Sequence, residues 1–256
     1  MCRLHQRAVD AAWLRSPLGR TAFEWAYDLY KRFYEASGTG SLSQYIRPGT
    51  TVIDVGANVG FFTQRFGRWV GPSGRVIAIE PEDTNFSRLK CMIERRGLAR
   101  VVEPVQAVAS DAPGTSHLQV SHYHPGDHKI GETGVPIRAV TIDNLMARDG
   151  IPPVSLIKID VQGAEERVLH GARQALMRWH PVLFLEVDDD ALRAMGSSSD
   201  QLLNWLAALG YQPRCIRHGR VSSLLSAEEI RPLCQQGRYV DLVLLADGVR
   251  GERRTP

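Results

Sequence analysis

Cysteine is scarce in this chain, and what there is does not cluster: Cys2, Cys91, Cys215 and Cys234 lie far apart, with no C-x-x-C pair. This spacing argues against a disulfide framework and fits a reducing compartment. Charge of one sign is lacking too, since a formal net charge of +3 is too small to drive electrostatic nucleic-acid binding. The opening stretch "MCRLHQRAVDAAWLRSPLGR" scatters charges and has no continuous apolar core, so it reads as neither a signal peptide nor a membrane span. These absences predict a cytoplasmic protein. There is no internal repeat and no low-complexity tract. What remains is an ordinary composition over 256 residues, enough for one large domain with a proper core.

From Phe23, the residues Ala26, Tyr27, Tyr30 and Tyr34 recur at helical spacing before the loop "ASGTGS", which predicts an N-terminal helix packed on the main domain. The chain then alternates. "TVIDV", "RVIAIEP", "VVEPVQAVAS", "VSLIKID" and "PVLFLEV" read as buried strands. Between them, helices present Phe62, Phe66 and Val70, then Phe86, Leu89 and Ile93, then Val168, Leu169, Ala172 and Leu176. A helix on Leu202, Leu203 and Leu206 closes at Gly210, followed by "YQPRCIR" and "RYVDLVLLAD" as an antiparallel pair at the sheet edge. The stretch from Gly114 to Asp143 does not fit a helix and reads as an inserted loop with strand character near its ends. Continuous apolar strands alternating with helices predict a mostly parallel sheet covered on both faces. Ligands of such sheets sit outside the carboxyl ends of the strands.

The segment after the first strand, Gly56-Ala57-Asn58-Val59-Gly60, is a glycine turn with two readings. A dinucleotide fingerprint needs glycine where Asn58 stands, so that the backbone can approach a pyrophosphate. Asp54, two residues before the first glycine, would set one negative charge beside another. The acid suits a ligand with an ammonium group and no phosphate, such as S-adenosylmethionine. Turn carbonyls and Asp54 would accept from its amino group, Gly56 would permit close approach, and amides at the helix start would bind its carboxylate. The same logic predicts an acid after the second strand for the ribose hydroxyls, and Glu80 is there, followed by Pro81. Phe61 follows the turn, and Gln106, Ala107 and Ser110 at the third strand's end are placed for the adenine.

"VIDVGANVGFFT", "GPSGRVIAIEP", "AVASDAPGT", "VTIDNL" and "LIKIDVQGAEERVLHGAR" resemble, in order and spacing, the FkbM-type family of S-adenosylmethionine-dependent methyltransferases, over roughly Val52 to Val187. Gln162 stands where the family block usually has Glu. The resemblance implies an α/β, Rossmann-like, doubly wound seven-stranded sheet with the last strand antiparallel and helices on both faces. It also implies methylation of a hydroxyl on a natural product or glycan. The expected layout is an N-terminal helical extension over residues 1–44, a methyltransferase domain over 45–248 and a disordered tail over 249–256.

Methyl transfer from a sulfonium to an alcohol needs alignment, a dry site and a base for the hydroxyl proton. Asp160, at the end of the fourth strand, is the first candidate base, and it also stands near the cofactor's methionine end. Lys158 shares its face, since side chains two apart in a strand point the same way. A buried lysine there needs a carboxylate, and Asp160, Glu165 and Glu186 are the options. His122, His124 and His128 in "SHYHPGDH" are candidates for substrate contact or, for one of them, the base; with Asp127 the cluster also invites a divalent-metal reading, and no resident metal is assigned to it. The remaining histidines show no partner in the sequence. The expected partner is a small-molecule or glycan hydroxyl acceptor, with no nucleic acid and no membrane, and with a homodimer left open. Two other readings compete: a nicotinamide-dependent oxidoreductase on a similar sheet, and a non-catalytic binding module that keeps the fold.

Overall fold

The computed structural model describes residues 40–119, 129–131, 133–148, 150–217 and 220–247. The expected N-terminal helix, His122, His124, His128 and the tail lie outside them.

The first half of the domain follows the apolar pattern closely. β1 (Thr51–Val55) leads through the glycine turn into α1 (Thr63–Val70), then β2 (Arg75–Ile79) and α2 (Asp83–Arg95), whose N-cap Glu82 accepts from the Asn85 amide at 2.7 Å. The expected third strand is divided into β3 (Val102–Val105) and β4 (Val108–Ala109). β4 pairs not with β3 or β2 but with β7 (Val135–Val140), after β5 (Gly114–Gln119) and β6 (Lys129–Gly131). These four strands form a separate sheet in the order β4-β7-β5-β6 over a small core of Val108, Leu118 and Ala139. The inserted segment thus forms strands near its ends, as its sequence suggested, and a further strand, β6, where a loop was expected. Its outer residues are mostly exposed, so the apolar signal that marks a buried strand is missing.

After α3 (Ile142–Met146) come β8 (Val154–Ile159), α4 (Glu165–His170), α5 (Arg173–Trp179), β9 (Val182–Val187), α6 (Asp189–Ala194) and α7 (Ser199–Ala208). The single helix expected from Ala164 is two, because at Gly171 the chain presses on the Ser110 carbonyl, where an added Cβ would lie 2.0 Å from the oxygen. β10 (Tyr211–Arg217), β11 (Arg220–Val221), α8 (Ala227–Ile230) and β12 (Val240–Ala246) follow within the described residues. Among the described residues the main sheet runs β11-β10-β12-β9-β8-β1-β2-β3 and has eight strands, one more than expected, because the two-residue β11 extends its edge. β12 is antiparallel to both β9 and β10, so β10 and β12 form the antiparallel pair expected on this side of the sheet, with only the two-residue β11 outside them.

Alternation along β1, β2 and β8 divides the core between the two faces. Ile53, Val55, Ile77, Ile79, Ile157 and Ile159 pack with Val168, Leu169 and Leu202, while Val52, Val76, Ala78 and Leu156 pack with Phe62, Phe66, Val70 and Leu89. Each fully buried side chain of this size stabilises by roughly 1.5–3 kcal/mol. Leu42, in a 3-10 turn over Gly40–Tyr45, belongs to the second of these groups. The face that holds Val52 and Leu156 also receives Asp54 and Lys158, and that placement makes the site.

Candidate active site

Lys158 is 2% exposed near the end of β8, directly beside Asp54 in the register of β1. Its ammonium lies 3.5 Å from Asp54 Oδ1 and 3.3 Å from Asp160 Oδ2. It also donates to the carbonyls of Gly56 at 3.2 Å and Val55 at 3.4 Å, and sits 5.1 Å from the centre of the Phe62 ring. Asp54 is wholly enclosed and accepts from the Thr63 hydroxyl at 2.6 Å. Burial pushes its carboxyl above the usual range, and the Lys158 charge and the Thr63 hydroxyl oppose that push. Asp54 was expected to face the ligand's amino group; in this structure it has no exposed surface to offer. The reason is its register: it lies within β1, one residue before the strand ends.

The glycine turn is tied inward by its own amides. Gly56 and Ala57 both donate to the Ile79 carbonyl at 3.0 Å, Asn58 to Glu80 Oε2 at 2.8 Å, Val59 to the Asn58 side chain at 2.8 Å and Gly60 to the Ala57 carbonyl at 2.9 Å. The five amides from Gly56 to Gly60 are thus engaged within the chain, so a ligand carboxylate at the helix start would have to use positions beyond Gly60. Gly56 (φ +74°) approaches the Asp160 carbonyl so closely that a Cβ would lie 2.0 Å from its oxygen. Its small size is therefore spent on the chain itself. Asn58 takes the left-handed conformation at φ +50°, which asparagine tolerates better than most residues.

Glu80 is 4% exposed and spans two loops, with Oε2 on the Asn58 amide and Oε1 on the Glu82 amide at 3.0 Å. Burial raises its carboxyl to about 7, against the pull of these amides. Each oxygen keeps a second lone pair for a hydroxyl donor. Pro81 follows it, half-buried. Gln106 lies beyond β3 and donates to the Asp83 carboxylate, while Ala107 is fully buried. Ser110 belongs to the other side of the divided strand: its amide donates to the Val140 carbonyl at 2.9 Å and its hydroxyl to Asp111 at 2.9 Å. The structure therefore distributes the three expected adenine-side residues along a chain that leaves the main sheet between Gln106 and Ser110.

Asp160 retains 24% of its side-chain exposure and lines a cavity with Phe62, Lys158, Ile159, Phe184, Glu186 and Asp241. Glu186 on β9 and Asp241 on β12 are direct cross-strand partners. Asp241 had no place in the sequence reading, although an acid inside the apolar run "YVDLVLLA" was the available signal. Beneath the Asp160 loop, Glu165 is 3% exposed and accepts from the Gly163 amide at 3.2 Å; burial raises it to about 8. His170, which showed no partner in the sequence, stacks on Trp205 with ring centroids 4.7 Å apart and lies 3.6 Å from Glu166.

The acceptors gathered at these strand ends suit a methyl donor bearing an amine and a ribose, and the engaged turn amides do not suit a pyrophosphate. With the strand order β3-β2-β1-β8-β9-β12-β10 and β12 reversed, they define a class I methyltransferase domain. A family profile described as the Methyltransferase FkbM domain matches residues 54–213, more than half of the chain. The chain belongs to this family of S-adenosylmethionine-dependent methyltransferases. Among curated relatives, the 31-O-demethyl-FK506 methyltransferase FkbM of Streptomyces tacrolimicus is 29% identical over 164 residues, 51% of this chain and 62% of that protein. The ubiquinone/menaquinone biosynthesis C-methyltransferase UbiE of Ectopseudomonas mendocina (strain ymp) is 38% identical over 89 residues, 33% of this chain and 31% of that protein. The chain thus spans less than two thirds of the length of these relatives. A crystal structure of Methyltransferase FkbM from Methylobacillus flagellatus KT has a TM-score of 0.49 at 20% identity, covering 77% of this chain and 44% of that one.

Proposed function

We propose that this protein transfers a methyl group from S-adenosylmethionine to a hydroxyl of a small natural product or glycan acceptor. The observation that carries the reading is the juxtaposition, within the family-matched segment, of the glycine turn with a half-open carboxylate, Asp160, held 3.3 Å from a buried ammonium. S-adenosylmethionine, when bound, supplies an electrophilic methyl on a sulfonium. The chain's own tasks are then few. Glu80 would accept from the ribose hydroxyls, and carbonyls of the turn from Gly56 to Phe61 would hold the amine. Phe62 and Phe184 keep the cavity dry beside the acceptor, which favours charge dispersal during transfer. Asp160 would take the acceptor hydroxyl's proton as its oxygen gains the methyl and the sulfonium becomes a neutral thioether, and the Lys158 ammonium stabilises a carboxylate at that position. Direction toward oxygen is supported by this carboxylate-lined cavity, and the Streptomyces relative is itself named for an O-demethyl substrate.

Titration calorimetry with S-adenosylmethionine and with NAD tests the donor. Micromolar binding of the first and none of the second is expected, and the reverse makes the protein an oxidoreductase. Incubation with methyl-labelled donor and a panel of hydroxylated acceptors tests the rest. Label found on carbon or nitrogen refutes the O-directed reading, and binding without turnover across the panel favours the non-catalytic module.

A further inference from the structure

We propose that Asp54 is a positioning residue, and that Thr63, Asp54 and Lys158 form a buried relay that fixes the partly exposed Asp160, the catalytic carboxylate, from inside the sheet. The inference rests on the reading of Asp160 as the base and goes beyond it, since Asp54 was expected to meet the cofactor. Three observations support it. Asp54 is 0% exposed, so its carboxylate reaches other groups only through the protein. Among the described residues it accepts from the Thr63 hydroxyl at 2.6 Å on α1 and lies 3.5 Å from the Lys158 ammonium on β8. That same ammonium touches Asp160 at 3.3 Å and the Gly56 carbonyl at 3.2 Å, which are the acid and the turn of the candidate site.

The physical logic is one of shared counter-charge. A lysine this buried keeps its proton only beside carboxylates, and Asp54 is the one that never leaves the interior. Asp54 therefore anchors the ammonium at a fixed depth, and the ammonium in turn holds the end of β8 and the Gly56 carbonyl in one geometry. Because Asp54 and Asp160 draw on one cation, they are coupled: neutralising Asp54 leaves the whole attraction to Asp160. Other charged groups near Asp160 are Glu165 beneath its loop and Glu186 and Asp241 across the cavity, and none of these is altered in the test below.

The test uses the full chain, carbon-13 carboxyl NMR for the titration of Asp160, assigned with Asp160→Asn, and calorimetry with S-adenosylhomocysteine. Asp54→Asn keeps the shape and an acceptor for Thr63 while removing the charge. It is expected to bind S-adenosylhomocysteine within about threefold of wild type and to move the Asp160 midpoint toward acid by about half a pH unit or more. The double variant Asp54→Asn/Lys158→Met leaves no unpaired charge inside the sheet, and should move that midpoint the opposite way. A tenfold or greater loss of affinity in Asp54→Asn would return Asp54 to direct cofactor contact and overturn the proposal. An unmoved Asp160 midpoint in both variants would also overturn it, and if the single variant does not fold, the double variant alone decides. The midpoints are read in the ligand-free protein. A wild type that binds no S-adenosylhomocysteine therefore refutes the proposed function, while the relay is still judged by titration.

Discussion

Gly56→Ala is the change most directly calculable from the structure. At φ +74° an alanine pays for left-handed geometry, at roughly 1–2 kcal/mol. Its Cβ would also stand 2.0 Å from the Asp160 carbonyl oxygen and 3.1 Å from the carbonyl carbon, and both neighbours are backbone with no rotamer to give way. Relief requires the turn to lift from the end of β8 by more than 1 Å, on the order of the gap to normal contact. That movement breaks the hydrogen bond from the Gly56 amide to the Ile79 carbonyl at 3.0 Å and the one from the Asp160 amide to the Val55 carbonyl at 3.2 Å, each worth about 1 kcal/mol. The sum is about 3–4 kcal/mol, a large share of the stability of an ordinary domain. Gly60→Ala is the control: its φ is +91°, but its Cβ would meet the Met92 Cε and Leu89 Cδ1 tips, which can rotate away. Urea denaturation of both variants should show Gly56→Ala losing more by at least about 1 kcal/mol. A Gly56→Ala variant within 1 kcal/mol of wild type, or less damaged than Gly60→Ala, would refute the claim that this glycine is required by the chain's own close approach.

Glu165 is held at about 8 by burial, well above its ordinary 4.5, so its protonation stabilises the fold fully below about pH 4.5, and that contribution is lost as pH rises through about 8. Glu165→Gln does not titrate; its stability relative to wild type should rise between pH 5 and pH 8 by at most about 1.4 kcal/mol per unit, and parallel stability curves would sink this account. Glu80→Gln should weaken S-adenosylhomocysteine binding by about 1–3 kcal/mol in calorimetry, and unchanged affinity removes Glu80 from the ribose. Asp160→Asn should bind the cofactor within a few fold yet lose about 10²-fold or more in turnover; undiminished turnover rules it out as the base. The Tyr211 hydroxyl is buried with no hydrogen-bond partner among the described residues, so Tyr211→Phe should be neutral or stabilising in thermal melts, and a loss above about 1 kcal/mol would reveal a partner.

The parts of the fold that could be read in advance are those where burial alone sets the pattern. β1, β2, β8 and β9 are mostly apolar runs because they are covered on both faces, and their order along the chain followed from the intervening helices. The divided third strand could not be read, since Gln106 and Ala107 differ from strand residues only in where the chain turns. The break between α4 and α5 depends on Ser110, sixty-one residues before Gly171, and no local propensity contains that contact. The site shows the same division. Asp54, Glu80, Lys158 and Asp160 stood out as charges at the ends of apolar strands. Which of them is enclosed, and that Asp241 lines the same cavity as Asp160, depends on register between strands far apart in the chain.

The pairing of β4 with β7 has a further consequence. Val108 lies beside Ala139, and Ala109 beside Val140, so the excursion between them departs and returns at points one strand spacing, about 4.8 Å, apart. A segment anchored that way behaves as a graft on a closed stem: it can be lengthened, shortened or exchanged without altering the distance its host must span. The host sheet's register, and with it the placement of Asp54 against Lys158, is insulated from whatever the graft becomes, leaving the rim beside the site free to diverge while the buried charges stay in place.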